Sequence, residues 1–251
     1  MAEDDLVVCS RNLSAAIARD ASALEDQVWA PFGFLSHTSA HQAYYSTILE
    51  EHADLQLCLV SAASGKPVAL VNCVPFSFTG DLNNLPAEGW DWLVETGGNP
   101  AAKPANVLGA LAVSVSTEHR GKGYARRMIQ ELKALAVRRR LDAVVVPVRP
   151  SAKSTHPFVP MDTYMHWRDD RGECFDPWLR SHLSQGARII RSCERSMVVK
   201  EHVAFWETWA GRRFSVSDRY AFEGGLAPVS ISLEHDTGRY EEPNVWVGYQ
   251  L

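Results

Sequence analysis

The feature that most constrains the fold of this chain is a loop with two glycines that joins an apolar run to an amphipathic stretch. The apolar run covers 107–115, the loop reads Arg120-Gly121-Lys122-Gly123-Tyr124-Ala125, and a second apolar run covers 143–148. Between the loop and the second run, apolar side chains recur at helical spacing with charged side chains opposite them. The order of strand, loop, helix and strand predicts two parallel strands joined by a right-handed crossover.

The loop has the chemistry of an anion site. Gly121 and Gly123 permit backbone conformations closed to other residues, so successive N–H groups can converge at the positive end of the helix dipole. Lys122, Arg126 and Arg127 add three cations where the dipole disfavours positive charge unless an anion offsets it. The third glycine of the dinucleotide fingerprint and the Gly-Lys-Ser/Thr ending of nucleotide-hydrolase loops are both absent. The loop therefore predicts a polyanionic ligand, such as a pyrophosphate. It does not fit the dinucleotide-binding or nucleotide-hydrolase classes of protein.

Residues 113–125 resemble the strand, loop and helix signature of the GNAT superfamily of acyltransferases, with its pattern Arg/Gln-x-x-Gly-x-Gly/Ala. The resemblance implies an α/β fold, with a mixed central sheet, splayed parallel strands, flanking helices and a C-terminal extension. It also implies coenzyme A or an acyl-CoA as co-substrate, no metal, and a backbone N–H near Val115 as an oxyanion donor. The residues that it places at the cofactor are Val113, Val115, Arg120, Gly121, Lys122, Gly123, Tyr124, Ala125 and Arg126.

Composition narrows the possible partners. The chain of 251 residues is 46% hydrophobic and 22% charged, which is ordinary for a globular protein. Its net charge of -5 and the lack of a basic tract argue against nucleic acid. The acidic N-terminus is unlike a signal peptide, and no apolar run approaches membrane-spanning length, so we expect a soluble, cytoplasmic protein. Five cysteines without a close pair indicate neither a disulfide framework nor a zinc site.

The patterning predicts one GNAT domain over 1–251, with a core of about 1–150 and an elaboration over 151–251 that completes the acyl and acceptor pocket. The segment 79–105 is rich in Gly, Pro and Asn, so we expect a long ordered connection anchored by Trp90 and Trp92. The remaining predicted elements are helices over 13–28, 40–53 and 202–209, a hairpin over 55–62 and 68–78, and strands over 187–199, 229–233 and 244–249.

The acid and base of the reaction are harder to place. Many GNAT enzymes carry a glutamate on the strand before the glycine loop, but 106–117 contains no carboxylate, so the base must come from elsewhere. Segments after Arg149 resemble the GNAT-like loading domains of polyketide synthases, which decarboxylate malonyl-type thioesters and are linked to acyl transfer onto a carrier thiol. That resemblance implies a histidine and a hydroxyl in the acyl pocket, matched here by His182 and by Ser151 or, less well, Thr155.

Other side chains complete this hypothetical pocket. We expect His182 to titrate near neutrality, as suits a proton shuttle. Trp29 is a candidate wall of the pocket. Arg149 and Arg180, together with Arg195, are candidates to hold a substrate carboxylate.

Three functions remain open at this point. The first is transfer of an acetyl or other small acyl group from coenzyme A to a small-molecule amine or a carrier-protein thiol. The second is decarboxylation of a malonyl-type acyl-CoA, and the third is a non-catalytic acyl-CoA binding module. Transfer ranks first because it is the usual activity of the superfamily. The acyl acceptor and the oligomeric state are not determined by the sequence.

Overall fold

The computed structural model describes residues 5–99 and 104–251. Over these residues nine strands form one mixed sheet. The strands are β1 Leu6–Ser10, β2 Leu57–Ser61, β3 Pro67–Phe76, β4 Val107–Val115, β5 Ala143–Val148, β6 Arg188–Glu201, β7 Arg219–Tyr220, β8 Val229–Ser232 and β9 Thr237–Gln250. The α-helices are α1 Ala15–Trp29, α2 Ser46–Glu51, α3 Gly89–Gly98, α4 Tyr124–Arg138, α5 Met161–Tyr164, α6 Pro177–Leu183 and α7 Val203–Ala210.

The sheet combines antiparallel and parallel pairing. The spatial order is β1-β2-β3-β4-β5-β9-β8-β7, and β6 pairs with β9 along its other edge. β4 and β5 are the parallel pair, and α4 connects them. The predicted mixed α/β architecture is therefore confirmed, and strands from both sides of residue 150 lie in the same sheet.

The two parallel strands separate soon after they meet. Their ladder joins only 107–109 of β4 to 143–145 of β5. Beyond this point β4 carries a bulge, because Asn72 of β3 lies opposite Ala112 while Cys73 lies opposite Ala110, which leaves Leu111 unpaired. A bulge bends the strand that carries it, whereas β5 stays paired with β9 along its whole length. The predicted splay is confirmed, and it opens a gap between the C-terminal halves of β4 and β5.

Helices cover both faces of the sheet. α4 buries Met128, Ile129 and Leu132 on one face. On the other face, α1 packs Ile17, Ala21 and Leu24 against β2 and β3. The apolar stripe of each helix matches the helical spacing of the sequence, because residues three and four apart share a face.

The segment 79–105 is more regular than the sequence indicates, since it contains α3. Trp90 does anchor it, because the indole Nε1 donates a hydrogen bond to the carbonyl of Leu111 at 2.9 Å. Trp92 packs edge-on against Phe76 and Trp246. The helix α3 begins and ends at glycines, and glycines in a sequence usually indicate turns rather than a helix. Residues 100–103 of this segment lie outside the described part.

Other boundaries also differ from expectation. The stretch predicted as a helix over 40–53 is a π-helical turn, His41–Tyr45, followed by the short α2. The last strand begins at Thr237 rather than at 244, and β1 and α6 were not predicted. The predicted hairpin, the strands at 187–199 and 229–233 and the helix at 202–209 are confirmed within a few residues.

We propose on these grounds that 1–251 is a single domain, and truncation tests it. A chain that ends at Lys153 lacks β9, with which all six residues of β5 are paired. The loss leaves a buried apolar strand as a bare sheet edge, so we expect the truncated protein to aggregate. Solubility and cooperative urea unfolding, measured beside the full chain, check this. A monomeric 1–153 fragment that unfolds cooperatively would show that the core folds alone.

Candidate active site

A cavity of about 660 Å³ occupies the gap between the splayed strands. Residues 110–113 of β4 and 146–148 of β5 line it, and the side of α1 that faces the gap closes it. Arg120 of the glycine loop also lines this cavity, which therefore extends from the loop to the centre of the sheet. Its volume is typical of sites that enclose a small ligand.

The glycine loop is open to solvent and to an anion. Gly121 and Gly123 have φ values of 77° and 81°, in the left-handed region that favours glycine. A Cβ built at either position has no neighbour within 4 Å, so the surface beside the loop is unobstructed. Gly123 precedes α4 without a side-chain cap. The first N–H groups of a helix have no partner within the helix, so those at Tyr124 and Ala125 are available to a ligand.

Positive charge surrounds this helix start. Arg120, Lys122 and Arg126 are exposed, and the first turn of α4 has no acidic residue. His119 lies beside the loop, with its Nδ1 2.6 Å from the Ser116 hydroxyl and its ring stacked on Tyr124. The helix dipole disfavours uncompensated cations here, which favours a bound polyanion.

The strand residues predicted at the cofactor differ in position. The side chains of Val113 and Val115 both pack against the core that α4 covers. Val113 also lines the cavity, but Val115 is absent from the lining. The part of β4 that reaches the cavity is 110–113, which includes the bulge at Leu111.

The side of α1 towards the cavity supplies the carboxylates that β4 lacks. Ser22, Glu25, Asp26 and Trp29 line the cavity, at the spacing of one helical face. The Trp29 indole donates a hydrogen bond to the hydroxyl of Ser114 on β4 at 3.0 Å, which fixes the end of the helix over the sheet. Trp29 thus lines the cavity, and its role as a wall of an acyl pocket stays a prediction.

Glu25 belongs to a buried polar cluster next to the bulge. Its Oε1 accepts hydrogen bonds from Asn72 Nδ2 at 2.7 Å and from the Tyr45 hydroxyl, and its Oε2 lies 3.6 Å from Arg11 Nη1. Burial raises the pKa of Glu25, while the hydrogen bonds from Tyr45 and Asn72 and the charge of Arg11 act in the opposite direction. The sequence analysis did not identify Glu25 as a candidate site residue. Its position on the polar side of the predicted helix 13–28 could have pointed to it.

Aromatic rings line the same side. His41 stacks on Tyr45 at 4.7 Å and on Trp90 at 5.9 Å between ring centroids, and all three line the cavity. Burial lowers the pKa of His41, so the ring is neutral near pH 7.

The segment after β5 brings two of the predicted residues to the cavity. Arg149 and Ser151 follow β5 and line it. The Arg149 guanidinium donates a hydrogen bond from Nε to Glu242 at 2.5 Å and from Nη2 to the carbonyl of Gly224, and it lies 4.4 Å from the centre of the Phe32 ring. These contacts fix the arginine at the cavity wall.

His182 does not occupy the predicted position. Its side chain is buried with 0% exposure, its Nδ1 lies 2.8 Å from the Tyr249 hydroxyl, and it is absent from the cavity lining. Trp178, whose ring centroid is 4.5 Å away, lines the cavity instead. Burial lowers the pKa of His182 to about 3. The expectation that it titrates near neutrality is wrong, because a charged imidazole is costly in this apolar packing.

The remaining predicted residues also lie away from the cavity. Thr155 is exposed and donates its hydroxyl to the carbonyl of Ala152. Arg180 pairs with Asp169 at 3.2 Å, and Arg195 pairs with Glu88 on the surface. Their short ion pairs explain why neither arginine is available to a substrate in the cavity.

A mixed sheet whose parallel strands splay around a cavity, with a glycine loop at the following helix start, defines the class of acyl-CoA-dependent acyltransferases. The chain belongs to the acetyltransferase (GNAT) family, whose sequence profile matches residues 21–159. It is therefore a GNAT-family acyltransferase, as the sequence predicted.

Particular relatives refine this assignment. The chain is 36% identical over 246 residues to the arginine N-acetyltransferase avaD of Aspergillus versicolor, a match that covers 87% of this chain and 84% of that protein. The loading GNATL domain of CurA from Lyngbya majuscula has the same fold, with a TM-score of 0.59 at 17% identity and coverage of 99% and 98% of the two chains. The GphF GNAT-like decarboxylase, solved with isobutyryl-CoA, gives 0.55 at 16% identity, with 98% of both chains covered.

Two other classes of site concern membranes and metal ions. Within 5–99 and 104–251 there is no helix with the length and apolarity needed to cross a bilayer. The same residues contain no cluster of three or more His, Cys, Asp or Glu side chains that could hold a metal ion.

The glycine loop can be tested by two substitutions at one position. Gly123→Asp places a carboxylate beside the exposed amides, so we expect coenzyme A binding to be lost through repulsion of the phosphates. Gly123→Ala introduces only the strain of a positive φ, about 1 kcal/mol, and should retain measurable binding. Isothermal calorimetry with coenzyme A on both folded variants measures the difference. Equal affinity of Gly123→Asp and the wild type would remove the anion site from this loop.

The buried state of His182 predicts a pH dependence of stability. Between pH 6.5 and about 3, the unfolded chain binds a proton at this imidazole that the native protein does not bind. Stability from this group is thus complete above 6.5 and decreases as the pH falls through that window. In His182→Gln, the slope of the unfolding free energy against pH between 6 and 4 should drop by about 1.4 kcal/mol per pH unit.

Urea unfolding at a series of pH values measures this slope. His235→Gln is the matched control, because His235 is exposed and its replacement should leave the slope near that of the wild type. A wild-type slope in His182→Gln would mean that the native imidazole titrates like a free histidine.

Proposed function

We propose that this protein transfers an acetyl or other small acyl group from coenzyme A to an amine of a small guanidinium-bearing molecule, with arginine as the type acceptor. The observation that carries the proposal is the cavity at the strand splay, which joins the glycine loop to a wall with two carboxylates. The name of the avaD relative, an arginine N-acetyltransferase, supports the same acceptor class.

Backbone groups supply most of the contacts that would bind coenzyme A, the acyl donor. The coenzyme A pyrophosphate would bind the amides of 121–125, with Lys122 and Arg126 as counter-charges. β4 and β5 stop sharing hydrogen bonds after 109 and 145, so the facing backbone groups of 110–113 need other partners. The amides of pantetheine can supply them. The thioester carbonyl would then lie at the bulge around Leu111, where a backbone N–H can stabilise the oxyanion.

The acceptor half fits a flat cation. Of the two carboxylates on this wall, that of Asp26 can pair with the guanidinium, and the rings of Trp29, His41 and Tyr45 line the same side. A guanidinium is planar and weakly hydrated, so it stacks on aromatic faces and pairs with carboxylates. Arg149 also lines the cavity, and its Nη1, which is engaged by neither Glu242 nor Gly224, can bind the carboxylate of an amino acid.

Decarboxylation of a malonyl-type thioester is the alternative. The likeness to loading domains assigns three residues to that chemistry. Ser151 lines the cavity, but His182 is buried next to Trp178 and does not line it, and Thr155 is on the surface. This arrangement favours transfer, and Ser151 remains our candidate to hydrogen-bond the acyl group or the departing thiol.

Acceptor specificity gives the test. With acetyl-CoA, we expect thiol release in the presence of arginine and an acetylated product by mass spectrometry. Citrulline has nearly the same shape but a neutral ureido group in place of the guanidinium, so its kcat/KM should be about ten- to a hundred-fold lower, the size of one lost charge-assisted interaction. Malonyl-CoA is incubated in parallel. Loss of carbon dioxide without thiol release, or equal use of citrulline and arginine, would overturn the proposal.

A further inference from the structure

The strand that usually carries the base of this family has no carboxylate, yet a carboxylate lies beside it. Asn72 of β3 is the residue opposite Ala112, immediately after the bulge of β4, and its side-chain amide donates to Glu25 at 2.7 Å. α1 therefore holds a carboxylate above the sheet at the point where the strands part. The Glu25 side chain is 12% exposed and lines the cavity, so it is shielded from bulk water but open to a ligand.

We propose that Glu25 is the general base of the transfer reaction, held in place by Tyr45 and Asn72. The inference rests on the proposed function and names the group that accepts the proton of the acceptor amine. Tyr45 and Asn72 are positioning residues, because both donate to Oε1 of Glu25 and Asn72 also donates to the Tyr45 hydroxyl at 3.0 Å.

Other groups in the cavity are less suited to this step. Asp26 is exposed, and its carboxylate makes no hydrogen bond among the described residues. His41 stacks on both Tyr45 and Trp90, and neither of its ring nitrogens has a hydrogen-bond partner among the described residues that would set its tautomer. Tyr45 itself stays protonated, since burial and the charge of Glu25 raise its pKa well above the usual range. Among the described residues that line the cavity, Glu25 combines partial burial with hydrogen bonds that fix its carboxylate.

The proton and bond changes balance with this assignment. The acceptor ammonium gives one proton to the Glu25 carboxylate, and the neutral amine attacks the thioester carbonyl carbon. The C–N bond forms as the carbonyl oxygen takes negative charge, and the C–S bond then breaks. The tetrahedral nitrogen gives its second proton to the departing thiolate, directly or through a water molecule, and Glu25 releases its own proton to water. No oxidant or metal enters the step.

The neighbours of Glu25 adjust its basicity. Burial and the adjacent Asp26 raise its pKa, whereas Tyr45, Asn72 and Arg11 lower it. These are the charged and polar groups that face the carboxylate: Asp26 on α1, Tyr45 in the turn before α2, Asn72 on β3 and Arg11 in the segment before α1. The outcome is a pKa above that of a free glutamate, which improves the carboxylate as a proton acceptor.

Glu25→Gln keeps the shape of the side chain and removes its basicity. We expect kcat with arginine to fall by about a hundred- to ten-thousand-fold, with coenzyme A affinity unchanged. Glu50→Gln is the matched control, because Glu50 is exposed on α2 and absent from the cavity lining; it should match the wild type. Asp26→Asn should mainly raise KM for arginine. A kcat of Glu25→Gln within a few-fold of the wild type would overturn the inference.

Tyr45→Phe provides a second readout, a shift of the pH profile, which partial unfolding of the protein would not produce. It removes a hydrogen bond to the charged form of Glu25, so the acidic limb of the kcat/KM profile should move to higher pH while activity at alkaline pH persists. In Glu25→Gln this limb should disappear. An unmoved limb in Tyr45→Phe would contradict the positioning role.

An acceptor-independent measurement separates this inference from the proposed function. Slow hydrolysis of acetyl-CoA, with water in place of the amine, needs the same base, so Glu25→Gln should lower it about as much as transfer. If the wild type does not acetylate arginine but Glu25→Gln loses hydrolysis, the acceptor proposal fails and the base stands. If the wild type acetylates arginine and Glu25→Gln retains both reactions, the base fails and the acceptor stands.

Discussion

The site depends on an imbalance in hydrogen bonding around two parallel strands. β5 is held along its whole length by β9, while β4 is held by β3 and carries an extra residue at Leu111. The bulge turns β4 away, and only three residue pairs join it to β5. Backbone groups left free in a protein interior are costly unless a ligand or water pairs with them. The splay is therefore both a cavity and a set of directed backbone donors and acceptors.

The C-terminal part of the chain maintains this geometry. β6 pairs with β9, which in turn holds β5. Glu242 of β9 is buried and pairs with Arg149, which fixes an arginine at the cavity wall. Removing one partner of such a pair leaves an uncompensated charge in the interior, so each of the two residues depends on the other. The elaboration after residue 150 thus supports the strands that border the cavity.

A cluster of polar groups lies beside the strand that has no glutamate. Three groups from three distant parts of the chain meet beside the bulge, namely Glu25, Tyr45 and Asn72. A buried carboxylate is tolerated because its oxygens have donors and a nearby cation. The same contacts fix its direction, which a solvent-exposed side chain on a loop would not achieve.

The sequence alone determined the parts of the protein that rest on local periodicity and local backbone chemistry. The glycine loop, the α4 stripe, the hairpin of β2 and β3 and the apolar runs of β4 and β5 were all predictable, because each depends on neighbours within a few residues. The tertiary structure decided which polar side chains face the cavity. Glu25 meets Asn72 across 47 residues and His182 meets Tyr249 across 67. Burial and pairing over such separations set both access and pKa, and no local pattern records them.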